Sequence, residues 1–268
     1  MLKDDGYLNY VLETLHRAGI RICALNCSGN PLDPGERGAR HREITDMTFE
    51  LAGRIEVDKI VMMSGLPAAR QGDLMPNWIC YTVSWPEELK GALDYQWNEV
   101  AIPYWRTLVR KAEEVGVQRI ALENFSAQLV YNSETLLRLR SAVGPRVGMN
   151  LDPSHLMWMG ADPICAVQEL GDAVFHVHAK DTRFESAAAQ VNGALETKPV
   201  ELVTARSWNY VAVGLGRGID WWKSFIYALK TSGYDDFISI EVEDFVLGQR
   251  AGLQASLSVL EQCLFAEE

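Results

Sequence analysis

Glu123, Asp152, His178 and Glu241 are the residues of this chain best suited to chemistry. They are three carboxylates and one imidazole, and each closes or directly follows a short apolar run: R-I-A-L, V-G-M-N-L, A-V-F-H-V and F-I-S-I. Such a set suits one divalent cation. Its oxygen-rich character favours Mn²⁺ first and Mg²⁺ next, and the imidazole keeps Co²⁺ and Zn²⁺ open. Each residue also has a plainer reading. A lone glutamate at a strand end commonly forms a salt bridge, and a histidine on an apolar run is commonly hydrogen-bonded core. Asp152-Pro153 is a turn-forming pair. His176, two residues before His178, reads as a structural neighbour of the set rather than a ligand.

The elements around these residues explain how four distant positions meet. Short apolar strands are expected at 20–25, 59–63, 119–122, 147–151, 173–177 and 237–240, with helices at 7–18, 41–53, from 97 onward, 135–142, 163–170 and 221–231. Leu8, Val11, Leu12 and Leu15 share one helical face, and the next helix carries the apolar Ile44, Met47, Phe49 and Leu51. Trp97 and Trp105 fall on the core side of a helix that Pro103 must kink or start. Helices and strands alternate, with glycine or proline between them, which is the pattern of βα units and a parallel sheet. In a closed parallel barrel all strands end on one face, where active sites sit. Glu123 and Asp152 are 29 residues apart, and Asp152 and His178 are 26 apart, one βα unit each. The third interval is 63, one unit plus an insertion at 183–220 that holds an expected hairpin of 198–204 with 209–213.

The chain has 268 residues, 48% of them hydrophobic, enough for one domain over residues 1–268. A net charge of −11 argues against a nucleic-acid partner. No apolar run approaches the ~20 residues of a bilayer span, and the first residues lack a basic-then-apolar leader. Five cysteines without C-x-x-C spacing are expected as free thiols in a reducing cytoplasm. Residues 64–94 lack periodicity and carry Trp78, Tyr81, Trp85, Pro67, Pro76 and Pro86. They form either a binding loop or an aromatic cover over helices. Gly214-x-Gly216-x-Gly218 lacks the strand–turn context of a nucleotide loop and is expected as a flexible loop over the site.

The segments A-L-N-C-S-G-N-P-L, M-S-G-L-P, I-A-L-E-N, N-L-D-P-S-H-L, H-V-H-A-K-D, G-R-G-I-D-W and I-S-I-E-V-E-D, in this order, resemble the xylose isomerase-like TIM-barrel family of sugar-phosphate isomerases and epimerases. They span residues 22 to 244 and do not specify one substrate. The resemblance implies an α/β fold of the TIM (β/α) barrel type. It also implies one divalent metal on Glu123, Asp152, His178 and Glu241, with Glu123 and Glu241 as the acid–base pair on opposite faces of the sugar. His155, three residues after the aspartate, matches a substrate contact. Lys180 would hold an oxyanion or phosphate, Arg217 is a phosphate or carboxylate contact with Arg206 a weaker one, and Asn30 is a further substrate-binding position.

The expected partner is a small carbohydrate, and the expected reaction is proton removal beside a carbonyl, giving isomerisation or epimerisation. An inosose-type dehydration begins the same way. Rival classes are a non-catalytic sugar-binding barrel and, with only five histidines to serve it, a metal-dependent endonuclease. The chain departs from the family at two points. Leu129 stands where the ketose epimerases carry another carboxylate, six residues after the first glutamate. The six strands match the family's third to eighth, so a barrel incomplete at its N-terminus is expected. A partner copy or the 198–213 segment would cover its open strand edges.

Overall fold

The computed structural model describes residues 2–80 and 87–265, so Tyr81, Trp85 and Pro86 lie outside the described residues. The chain forms two compact units, residues 1–148 and 149–268.

The first unit runs α1 (Asp5–Arg17), β1 (Leu25–Cys27), α2 (Glu36–Arg54), β2 (Lys59–Met62), the short α3 (Ala92–Asp94), α4 (Ile102–Glu114), β3 (Arg119–Glu123) and α5 (Ser133–Val143). β1, β2 and β3 pair in parallel, with Leu25 against Ile60 and Lys59 against Arg119. β2 and β3 read as unbroken apolar runs because both their faces are covered, and Ile60, Ile120, Ala121 and Leu122 are buried. The expected strand at 20–25 forms later, at 25–27, and its middle residue Asn26 is exposed. α2 begins five residues before its expected start. Its buried side is Gly38, Thr45, Phe49 and Ala52, while Ile44 and Met47 face outward. Burial of Phe49 contributes roughly 2–3 kcal/mol.

α5 starts at a capping box: Asn132 Oδ1 accepts from Thr135 N at 3.0 Å, and Thr135 Oγ1 accepts from Asn132 N at 3.2 Å. Trp97 and Trp105 are buried, as their periodicity indicates. Ahead of α4, residues 95–101 form a π turn in which Ile102 N donates to Trp97 O. Pro103 follows in the first turn of α4. It has no N–H to offer the carbonyl of Glu99, so an unbroken α ladder cannot cross this point.

The second unit takes in most of β4 (Val147–Leu151), then α6 (Pro153–Met159), α7 (Pro163–Leu170), β5 (Val174–Ala179), β6 (Asp181–Phe184), α8 (Ser186–Asn192), β7 (Trp208–Val211), α9 (Ile219–Thr231), β8 (Ile238–Ile240) and α10 (Gly248–Glu261). β4, β5 and β8 pair in parallel, with Leu151 against Val177 and His178 against Ser239. The expected 198–204 with 209–213 hairpin does not form. β7 instead pairs antiparallel with β6, placing Phe184 opposite Trp208, and the 198–204 stretch is a turn leading to one 3₁₀ turn at Val203–Ala205. α10 follows β8 and was not anticipated. Leu253 and Leu257 on it are about half exposed, which blurs its apolar face in the sequence. No helix among the described residues is long and apolar enough to cross a membrane. The five cysteines are free thiols.

Candidate metal centre

Asp152 serves two structures at once. It directly follows β4 and is the N-cap of α6, with Pro153 in the first helical turn. Its Oδ1 accepts from Ser154 N at 2.8 Å and from Ser154 Oγ at 2.6 Å. The carboxylate is thereby fixed, and Oδ2 lies 3.0 Å from Lys180 Nζ and 3.4 Å from His155 Nε2. Oδ1 thus serves the turn, and Oδ2 faces Lys180 and His155.

His178 lies within β5, and Glu241 directly follows β8. Parallel pairing of these strands continues through Glu241 N donating to Ala179 O at 3.2 Å. The two side chains meet, His178 Nδ1 to Glu241 Oε2 at 3.0 Å. Ligand-type atoms of Asp152, His178 and Glu241 lie within 4.8 Å of one another. His176 shares the pleat face of His178 and bonds Ser239 Oγ at 2.8 Å, the structural role its position suggested. Glu123 ends β3 in the first unit and is 4% exposed.

Lys180 gathers the acids of the second unit. It is 1% exposed, with Nζ 2.9 Å from Glu241 Oε2 and 3.5 Å from Glu243 Oε2 as well as the 3.0 Å contact to Asp152. Burial raises the Asp152 carboxyl, but the charges of Lys180, His155 and His178 outweigh that and hold it below the usual carboxylate range. At Glu241 burial again raises, and the hydrogen bond from His178 with the Lys180 charge more than reverses it, so this carboxyl too is held well down. Both are anions at neutral pH. Two converging carboxylates and an imidazole, with only one ammonium among them, form a donor set that fits a divalent cation.

The model of the family described as xylose isomerase-like TIM barrel matches residues 3–263. This chain belongs to that family. It is 59% identical over 252 residues to the uncharacterized protein YfiH of Bacillus subtilis (strain 168), covering 94% of this chain and 80% of that one. An inosose dehydratase of Lacticaseibacillus casei is 29% identical over 151 residues, covering 56% of this chain and 48% of the relative, so the match spans about half of that enzyme. Among solved structures, the IOLI protein with a bound zinc atom superposes with a TM-score of 0.61 at 20% identity, covering 97% of this chain and 84% of that one. The xylose isomerase-like TIM-barrel fold is therefore this chain's fold, and its Glu, Asp and His residues form a possible metal site.

Within this family member, His155 is buried beside Asp152, and its Nδ1 lies 2.7 Å from the Tyr210 hydroxyl. That hydroxyl also accepts from Trp158 Nε1 at 3.2 Å, and Lys180 Nζ sits 4.8 Å from the centre of the Tyr210 ring. Burial pushes the Tyr210 hydroxyl pKa well above its ordinary value, so it stays protonated. Tyr210 and Glu243 are the residues that sequence reasoning passed over. The E-V-E spacing places Glu243 on the Glu241 side of an extended segment, a period-two signal that could have found it. Tyr210 carried no such signal, because its place depends on β7 pairing with β6.

Two expected substrate contacts, Asn30 and Arg206, use their side chains within the fold. Asn30 Oδ1 accepts from Leu32 N at 3.1 Å and Leu66 N at 2.8 Å, while Nδ2 donates to Leu66 O at 2.8 Å, so this amide staples two loops of the first unit. Arg206 is buried against Trp208 and donates to the carbonyls of Trp208 and Lys198. Arg217 is exposed, and its backbone N–H donates to Asp181 Oδ2 at 2.9 Å. The glycine loop is tied to Asp181. Gly214 N (3.0 Å), Gly216 N (3.2 Å) and Trp222 Nε1 (3.1 Å) converge on that same oxygen. Gly216 is required there, since a Cβ would stand 2.2 Å from Thr182 O.

Proposed function

We propose that this protein is a divalent-metal-dependent isomerase or epimerase that takes a proton from the carbon beside a carbonyl in a sugar, sugar phosphate or polyol. The observation that carries the reading is the convergence of Asp152, His178 and Glu241 within 4.8 Å. Glu123, buried at the end of β3, is assigned as the fourth ligand from its matching strand-end position and the family resemblance. Mn²⁺ is the assigned ion, and the zinc named for the IOLI protein supports a divalent cation in general.

Such a cation supplies Lewis acidity to a carbonyl oxygen, which favours loss of the neighbouring proton. The chain's own residues do the rest. Glu241 is the open member of the cluster, its side chain 34% exposed, and is assigned as one acid–base group, with Glu123 as the other. Lys180 offers an ammonium to an oxyanion or phosphate. His155, oriented by Tyr210, is placed to meet a substrate hydroxyl.

A second reading, dehydration of a keto-inositol or related ketone, is favoured by Leu129. It is a buried apolar residue where the ketose epimerases carry a carboxylate. The name of the inosose dehydratase relative points the same way.

A panel of ketoses and inososes incubated with Mn²⁺ in deuterium oxide tests both. Deuterium beside the carbonyl together with an isomer or epimer supports the first reading, and loss of water supports the second. No exchange and no product with any member would sink both.

A further inference from the structure

The Tyr210 hydroxyl has two polar neighbours, and their chemistry leaves one arrangement of protons. Trp158 Nε1 lies at 3.2 Å and His155 Nδ1 at 2.7 Å. An indole nitrogen carries a proton and has no lone pair to offer, so Trp158 donates and the Tyr210 oxygen accepts. Burial keeps the hydroxyl protonated. Its proton needs an acceptor, and among the described residues His155 Nδ1 is the one acceptor within hydrogen-bond distance. Were the imidazole proton on Nδ1 instead, the hydroxyl would receive two donated hydrogen bonds and leave its own proton without a protein acceptor. That is costly beside a wholly buried histidine.

The three rings are held in this relation. His155 and Trp158 stand three residues apart on α6, and so lie on one side of it. Tyr210 pairs with Thr182 across the β6–β7 ribbon, and Thr182 Oγ1 donates to Ser154 O at 2.8 Å, which ties the ribbon to α6. Trp208 stacks on Trp158 with ring centres 4.8 Å apart and planes within 8°, and its own Nε1 donates to Ala194 O at 2.8 Å. The Trp158 indole cannot turn from the hydroxyl without breaking that stack.

We propose that Tyr210, itself held by Trp158, is a positioning residue that locks His155 as the tautomer with its proton on Nε2. Nε2 lies 3.4 Å from Asp152 Oδ2, so His155 presents an N–H rather than a lone pair to the Asp152, His178 and Glu241 cluster. A ring nitrogen that carries the proton neither ligates a cation nor takes up a proton. His155 therefore stands beside Asp152 as a hydrogen-bond donor outside the ligand set. What it meets on a substrate is an oxygen lone pair, of a carbonyl or a hydroxyl. That last step rests on the catalytic reading above, and the tautomer does not.

The test is long-range proton–nitrogen correlation NMR of the histidine rings in the isotope-labelled full chain, in EDTA at about pH 8, above the ordinary imidazole pKa of about 6.5. The His155 signals are assigned by their loss in His155→Asn. The expected wild-type pattern is a protonated Nε2 and an unprotonated, hydrogen-bonded Nδ1. Tyr210→Phe keeps the ring and removes the hydroxyl, and its His155 Nδ1 signal should move downfield, toward that of an imidazole nitrogen with no donor. Asp152→Ala removes the carboxylate facing Nε2 and should leave the proton there, because Tyr210 is still present. Circular dichroism confirms folding, and the wild type with Tyr210→Phe carries the test if Asp152→Ala misfolds. The proposal is overturned if the wild type carries the proton on Nδ1, or if Tyr210→Phe leaves the Nδ1 shift unchanged. It is equally overturned if Asp152→Ala alone spreads the proton over both nitrogens. No substrate enters these measurements, so a chain with the expected tautomer that exchanges no deuterium with any ketose or inosose counts against the catalytic reading alone.

Discussion

Lys180 and Glu241 form an ion pair, Nζ to Oε2 at 2.9 Å, and the same buried ammonium reaches Asp152 Oδ2 at 3.0 Å. Lys180→Met deletes the largest favourable charge on a fully buried aspartate. Removing one partner of a buried pair costs about 3–5 kcal/mol. Urea unfolding in EDTA should show a loss of about 3 kcal/mol, and a change below about 1 kcal/mol would show that Lys180 is not the counter-ion of Asp152.

Metal analysis of the purified protein should find one divalent ion per chain. Asp152→Ala and His178→Ala should abolish binding, and Glu241→Gln and Glu123→Gln should weaken it. An ion at a hundredfold its Kd stabilises by about 2.7 kcal/mol. Stripping it should therefore lower Tm by roughly 5–10 °C, reversed on re-addition. Full metal loading of Asp152→Ala would remove Asp152 from the ligand set.

Asp181 Oδ2 accepts from three backbone N–H groups and one indole, so Asp181→Ala orphans four donors at once. A loss of about 3 kcal/mol or more is expected in denaturant unfolding. Gly216→Ala should destabilise too, because its Cβ would meet the Thr182 carbonyl at 2.2 Å. Wild-type stability in either variant would contradict the role given to this loop.

Glu196 is a pH-dependent fastener of the 183–220 insertion. Its carboxylate accepts from Lys198 N and Thr197 N, both at 2.9 Å, and from Ser207 N at 2.7 Å. The Lys198 backbone N–H and these other bonds hold its pKa down at about 2, against an ordinary 4.5. A depressed carboxylate stabilises the fold fully above pH 4.5 and loses that contribution as pH falls toward 2. Hydrogen-exchange protection across residues 194–207 should drop through that window, whereas Glu196→Gln should show a flat, lower protection. Equal pH profiles for the two proteins would rule this out.

Much of the fold could be read from the sequence because β2, β3, β4 and β5 are almost wholly buried and its helices are punctuated by Gly116, Gly144, Gly171 and Gly233. The places of Asp152, His178 and Glu241 were legible for the same reason, since each closes or follows an apolar run. What could not be read depends on pairings between distant segments. β7 joins β6 rather than its own neighbour in the chain, and that choice alone brings Tyr210 to His155. The glycine loop carries the composition of a flexible segment, yet three of its backbone N–H groups bond Asp181, more than thirty residues upstream. Asn30 shows the same limit, since a staple between backbones cannot be told from a ligand contact by residue type.

The π turn at residues 95–101 has a consequence for how this chain can vary. Such a turn holds one residue more than the α turn it replaces, a single-residue insertion absorbed inside a helix rather than in a loop. Deleting one residue there would return the ladder to α spacing as far as Ile102 while rotating everything upstream by about 100° about the helix axis. Gln96 would swing away from the Pro67 and Asn77 carbonyls it donates to, and Trp97 from the Arg138 guanidinium over its ring, while Trp105 kept its place in the core. The same helix therefore has two halves that answer differently to length changes: the half from Ile102 onward is set by packing, and the half before it by reading frame along the axis.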